Sequence, residues 1–228
     1  MTLFVYPKQT LFKRVLPKSK IYNYAKPPRT IRERFVNEVD QIVWKHKLSP
    51  ETLNLPATKA APEIQIFGII LRTDELSESV LRTIDKAISF PIFYELSHQG
   101  KCKMSAAYKR PSEADTSSWV VDSYFESDWH PETTSRQPLP VALNLGSLYE
   151  QMLRQLITIP ARADESLKAL VERNNQLRSK QSEYRKLEQQ LSREKQFNRK
   201  VELNRELRRL HDEMGNLSDP QITQTGAD

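Results

Sequence analysis

The sequence predicts an α+β protein: a small antiparallel or mixed sheet with helices on one face, followed by a long C-terminal coiled-coil-like helical arm. Three observations carry this. "PEIQIFGIILRT" is a short Ile-rich run of buried-strand character, and "DELSESVLRTIDKAI" then changes to a helical period. "PIFYEL" and "KCKMSAAYK" follow as two strands joined by a short connection containing Gly100. From Asp164 to Met214, fifty-one residues pass without Gly or Pro.

Element by element, residues 1–29 mix prolines, lysines and aromatics without a period. They read as an extended segment laid over the domain by Phe4, Tyr6, Phe12 and Tyr22. Thr30 and Glu33 have capping-box spacing. Ile31, Phe35, Val39 and Ile42 then form a stripe that predicts a helix as far as Leu48, before Pro50. A strand is expected from Glu63 to Leu71, then a helix with Leu76, Val80 and Ile84 on one face. On "KCKMSAAYK" Cys102, Met104, Ala106 and Tyr108 should share one face, and Lys101, Lys103 and Lys109 the other. "SSWVVDSYFES" is a fourth strand, residues 126–142 a proline-rich loop, and "LNLGSLYEQMLRQLI" a helix. The implied division is 1–50 for a basic segment and amphipathic helix, 51–160 for the α+β domain, 161–215 for the arm and 216–228 for a disordered tail.

In the arm, Leu170, Leu177, Tyr184 and Leu191 recur every seven residues with Leu187 between, and Leu203, Leu207 and Leu210 continue at helical spacing. Leu191 and Leu203 are twelve apart, not a heptad multiple, so the seam must shift, bend or fold back near 195–200. The absence of Gly and Pro favours one long helix over a hairpin. In "SREKQFNRKVELNRELRRL" seven bases are interleaved with three acids, the pattern of an exposed, self-paired helix rather than a phosphate tract. These eight apolar residues are therefore the expected partner-docking seam, for another protein or a second copy.

The net charge of +6 is unevenly spread: +8 over residues 1–48, −4 over 49–161 and +4 over 162–214. Lys13, Arg14, Lys18 and Lys20 are the candidates for contact with a nucleic-acid backbone. No run is apolar enough for a membrane span, the N-terminus has no secretory h-region, and Cys102 stands alone, so a cytoplasmic protein is expected. Glycine-rich phosphate loops and Gly-x-Ser-x-Gly elbows are absent, and His46, His98, His130 and His211 are scattered without metal-ligand spacing. No catalytic, cofactor or metal residue is assigned. One enzymatic pattern merits testing: Glu63-Ile64-Gln65 with Glu95 could supply part of a metal-dependent nuclease site, although Glu95 is more simply read as paired across the hairpin with Lys101 or Lys103.

"YPKQTLFKRVLPKSKIYNYAK", "LSPETLNLPATKAAPEIQIFGI", "AAYKRPSEAD" and "RQPLPVALNLGSLYEQMLRQLI", with "IDKAISFPIFYEL" and "SREKQFNRKVELNREL", together resemble a bacterial family catalogued only as a domain of unknown function. The resemblance runs from about Tyr6 to Leu210. It implies a setting beside DNA methyltransferases and restriction or helicase subunits of defence loci, and it supplies no catalytic residues. The expectation is a non-catalytic accessory subunit that docks a methyltransferase or helicase through its arm and meets DNA within the complex. A free-standing DNA-binding regulator is the main alternative.

Overall fold

The computed structural model describes residues 3–114 and 118–220, which form two compact units, Met1–Leu156 and Ile157–Asp228. The first contains strands β1 (Phe4–Val5), β2 (Leu11–Val15), β3 (Val39–Leu48), β4 (Ile64–Leu71), β5 (Ile92–His98), β6 (Lys101–Pro111), β7 (Trp119–Glu126), β8 (His130–Pro131) and β9 (Gln137–Pro138). Its helices are α1 (Lys18–Ala25), α2 (Arg29–Glu38), α3 (Pro50–Leu53), α4 (Glu78–Ala87) and α5 (Leu145–Arg154). The second unit is built from α6 (Leu167–Arg193) and α7 (Phe197–Ser218).

The main sheet runs β2-β3-β4-β5-β6-β7, with β8 on β6, while β1 and β9 form a separate parallel pair. Only β4–β5 is parallel within the main sheet, because α4 provides the crossover between those strands. The β5–β6 connection is a tight hairpin. Gln99 and Gly100 both have positive φ, 46° and 73°, the conformation that matches the twist of two hairpin strands.

Successive residues of a strand face opposite sides, so neighbours on β5 report both faces. Tyr94 and Leu96 join a core with Ile21 of α1, Phe35 of α2, and Val80, Leu81 and Ile84 of α4. Phe93 meets Tyr149 of α5 edge-on, with ring centroids 6.0 Å apart. Helices therefore cover both faces, not one as the sequence suggested. Tyr149 locks α5 down by accepting a hydrogen bond from the Lys109 amide at 2.7 Å.

Three sequence-based expectations are corrected. The first helix ends at Glu38, and Val39–Leu48 is a strand. Between Val39 and Gln41 the pairing with β4 slips by one, since Val39 faces Leu71 and Gln41 faces the adjacent Ile70. That bulge puts Val39 and Ile42 three residues apart on one buried side and mimics a helical stripe. The capping box at Thr30 does not form: the helix starts at Arg29, whose Nε donates to Glu33 Oε1 at 2.8 Å. Residues 18–25 form a helix within the segment expected to be extended.

The arm folds back on itself. Helix α6 ends at Arg193, Glu194 is extended with ψ 137°, and α7 begins at Phe197. Glu194 Oε1 accepts from the amides of Lys195 and Gln196 at 2.7 and 2.8 Å, so a side chain breaks the helix without glycine or proline. Lys180 Nζ meets Glu213 at 2.6 Å, which sets the antiparallel register. The hairpin replaces the single long helix. Residues 216–218, assigned to a tail, continue α7, and residues 221–228 of that tail lie outside the described residues.

Candidate functional site

Four places in the molecule concentrate polar or unpartnered groups. The first is sealed. Asp85 of α4 and Lys109 of β6 are each 1% exposed and stand 3.2 Å apart. Asp85 also accepts from Tyr94 at 3.0 Å and from Tyr124, while Lys109 donates to the carbonyls of Asp85 and Ile88. Burial pushes the Asp85 carboxyl up despite Lys109, and pushes the Lys109 ammonium down. Lys109 shares its face of β6 with Lys101 and Lys103, as its spacing implied. The register shift between Ala107 and Lys109 places the extra residue on β7, and Lys109 differs from the other two in being sealed under α4. Both charged side chains are shut off from solvent and matched by partners within the chain, the arrangement of a structural cluster.

The second lies on the opposite face. Glu95 is bracketed by Lys45 Nζ at 2.7 Å and Arg136 Nη1 at 2.5 Å, and Arg136 also donates to the Phe4 carbonyl. These partners replace the expected cross-strand lysines, because Glu95 stands opposite Met104 in the ladder. Burial would raise the Glu95 carboxyl, but Lys45 and Arg136 outweigh it and hold it below the usual range. Lys45 reaches Glu95 across Gly68, where a Cβ would run into the Lys45 side chain. Tyr6, its ring tilted by 33° against His46 with centroids 4.6 Å apart, keeps its hydroxyl buried without a hydrogen-bond partner beside this cluster. Burial drives that phenol well above its ordinary value, with Glu95 adding to it, and pushes the His46 imidazole down. A carboxylate kept ionised between two cations transfers no proton near neutral pH.

The nuclease pattern does not assemble. Glu63 pairs with Lys47 at 2.9 Å and accepts from Gln65 at 2.8 Å. Gln65 shares its side of β4 with Phe67, whereas Glu95 stands beside Gly68 on the other side. Among the described residues no three His, Cys, Asp or Glu side chains converge as a metal site.

The third is the basic front. Lys13, Arg14 and Lys20 are exposed. Lys18 is not available to a phosphate: its Nζ donates to the carbonyls of Phe35 and Val39 at 2.8 and 2.5 Å, closing the C-terminal turn of α2. Burial lowers its ammonium. Lys13 has φ 49°, at a bulge in the edge strand β2, which spoils that edge for pairing with another sheet. Arg14 lies 4.5 Å over the Phe12 ring, itself packed on Trp44 at 4.2 Å.

The fourth is the hairpin. Leu170, Leu177, Leu203, Leu207 and Leu210 are buried, so five of the eight seam residues are spent on the chain's own packing. Tyr184, Leu187 and Leu191 remain half-buried toward the turn. Tyr184, Leu191 and Leu207 line an open groove between the helices, edged by Glu188, Asn204 and Arg208. Phe197 and Val201, which the heptad reading passed over, are 78% and 45% exposed at the start of α7. Their signal was present: both fall out of the seam, where an apolar side chain has no intramolecular partner. At the opposite end, Arg173 ties the helices by contacting Glu165 at 2.8 Å and the Leu217 carbonyl at 2.6 Å.

A family model described as Domain of unknown function (DUF4391) matches residues 4–214. The chain belongs to that family. The match takes in the basic front, the sheet and nearly all of the hairpin, so these are features of one family domain rather than additions to it. No curated protein and no solved structure matches the chain. No helix among the described residues is long and apolar enough to cross a membrane.

Proposed function

We propose that this family member is a non-catalytic accessory subunit of a bacterial DNA-processing complex of the restriction-modification or anti-phage type, working in the cytoplasm. In this reading the turn end of the hairpin docks a DNA methyltransferase or helicase subunit. The observation that carries it is the exposure of Phe197 and Val201 next to the half-buried Tyr184, Leu187 and Leu191. A two-helix hairpin with a satisfied seam gains nothing in its own fold from a phenylalanine in water, whereas exposed aromatics serve as anchors in protein interfaces. The class of partner comes from the gene setting implied by the family resemblance.

The test is co-purification of the tagged chain from its native operon. Phe197→Asp with Val201→Asp should abolish recovery of the methyltransferase or helicase while circular dichroism and melting of the chain stay unchanged, since both residues are exposed. Recovery undiminished in that variant would remove the proposal. A dimer seen by light scattering in the wild-type chain, split by the same two substitutions, would reassign the surface to a second copy.

A free-standing DNA-binding regulator is favoured by one specific observation, the cation-rich surface of β2 and α1. In the accessory-subunit reading that surface meets DNA inside the assembly.

A further inference from the structure

We infer that α1 and the start of α2 form a binding platform for single-stranded nucleic acid, with Tyr24 as the base-stacking residue and Lys20, Lys26 and Arg29 as its phosphate contacts. Residues 8–36 hold nine Lys or Arg and one acid, Glu33. Acids are much sparser here than in the hairpin, Glu33 pairing with Arg29 Nε at 2.8 Å, so cations dominate the surface of α1 and the start of α2. Within it Tyr24 is 78% exposed, the most exposed aromatic of the sheet unit. Lys20 precedes Tyr24 by one helical turn and so lies on the same face. Lys26 caps α1 in the left-handed conformation, with φ 46°, and Arg29 opens α2 with a side chain 91% exposed. The chain between them is Pro27-Pro28, which holds the two helices' ends in a fixed relation.

The surface is preorganised. Ile21 and Tyr22 anchor α1, Tyr22 meeting Phe35 edge-on at 5.4 Å, and the Arg32 guanidinium lies 5.4 Å over the Tyr22 ring. The outward ring of Tyr24 therefore sits on a rigid base. A ring in water flanked by cations suits an unpaired base with its phosphates on either side, because stacking on an aromatic face accepts any base. Duplex DNA offers phosphates but no exposed base face, and protein interfaces are depleted in lysine. Single strands are thus the favoured class over duplex and over an acidic protein. The inference rests on the DNA part of the proposed function but not on the hairpin, so co-purification and the titration below can fail separately.

The experiment is fluorescence anisotropy of the full chain with a labelled mixed-sequence single-stranded 20-mer, its duplex, and labelled poly-glutamate. The single strand should bind more tightly than the duplex at low salt. Tyr24→Ala should weaken single-strand binding by roughly 5- to 150-fold and leave duplex binding within about twofold, while Tyr24→Phe keeps the wild-type affinity. Lys20→Ala with Arg29→Ala should lower the salt slope by about 1.4, two phosphates at roughly 0.7 each. Thermal melts of all variants should match the wild type. Equal affinity for duplex and single strand, or a Tyr24→Ala variant within twofold of wild type on the single strand, overturns the platform. Binding of poly-glutamate without the oligonucleotide assigns the surface to an acidic protein and overturns it as well, as does binding of none of the three.

Discussion

Asp85 and Glu95 are both buried carboxylates of one sheet unit, yet they respond to burial in opposite ways. Asp85 and its partner Lys109 are each 1% exposed; Glu95 is 4% exposed, but its partners Lys45 and Arg136 keep 38% and 30% of their side chains in water. The Asp85 carboxyl is pushed up and the Glu95 carboxyl is held down. Two differences act together: Asp85 has one cation and Glu95 two, and the cations of Glu95 stay partly in water. When both charges leave water the desolvation cost exceeds the attraction, and hydroxyl donors such as Tyr94 and Tyr124 are recruited to satisfy the carboxylate. When the cations remain hydrated, two of them can stabilise one buried acid.

The largest effect should come from breaking the sealed pair. Lys109→Met leaves Asp85 buried without its cation and should cost about 3–5 kcal/mol in a denaturant melt of the sheet unit. Adding Asp85→Asn should restore much of that loss, because the amide oxygen still accepts from the two tyrosines. If Lys109→Met were as mild as a surface change, the contrast between the two clusters would collapse.

Glu95→Gln should cost less, about 1.5–3 kcal/mol, since Lys45 and Arg136 can turn to water. This cluster also has a pH signature. A folded-state pKa below the unfolded value of about 4.3 means that its stabilisation is fully present above that pH and disappears as pH falls through the folded value. The gap in melting temperature between wild type and Glu95→Gln should therefore be constant from pH 6 to 8 and close on acidification below about pH 4. Asp85, shifted upward, contributes in the reverse direction, its share falling as pH rises. A gap independent of pH would show that the Glu95 charge does not matter to the fold.

The smallest effect belongs to Gly68. Alanine there should displace Lys45 from Glu95 and lower stability by up to about 1 kcal/mol. In Lys45→Ala the same Gly68→Ala change should become neutral or stabilising, because a strand interior otherwise favours alanine by about 0.5–1 kcal/mol. Simple additivity of the two substitutions in melts would break the proposed contact.

Local pattern was sufficient where each residue's environment is set by its near neighbours. The strand at 64–71, the helix of α4, the Gln99-Gly100 hairpin and the α5 helix are legible because period, turn chemistry and burial agree there. The strand at 39–48 was misread because a bulge disguises a two-residue period as a helical one. The face of Lys109 was legible from the strand period, but its burial against Asp85 of α4 was not, because that pairing joins residues twenty-four apart in the chain. In the basic front, exposure of Lys13, Arg14 and Lys20 followed from charge, but the withdrawal of Lys18 into the end of α2 could not.

The hairpin draws the boundary most sharply. The sequence alone dictates two amphipathic helical runs and, through the twelve-residue step from Leu191 to Leu203, a break in their common seam. Whether that break became a change of face or a reversal depended on contacts between residues far apart in the chain, Lys180 with Glu213 and Arg173 with Leu217. The same division holds for Glu95. A carboxylate on a buried strand demands compensation, which the sequence already states. Its cations lie fifty residues before it and forty-one after it, and only the folded sheet brings them within hydrogen-bonding distance, because charge pairing falls off over a few ångströms while sequence separation sets no distance at all.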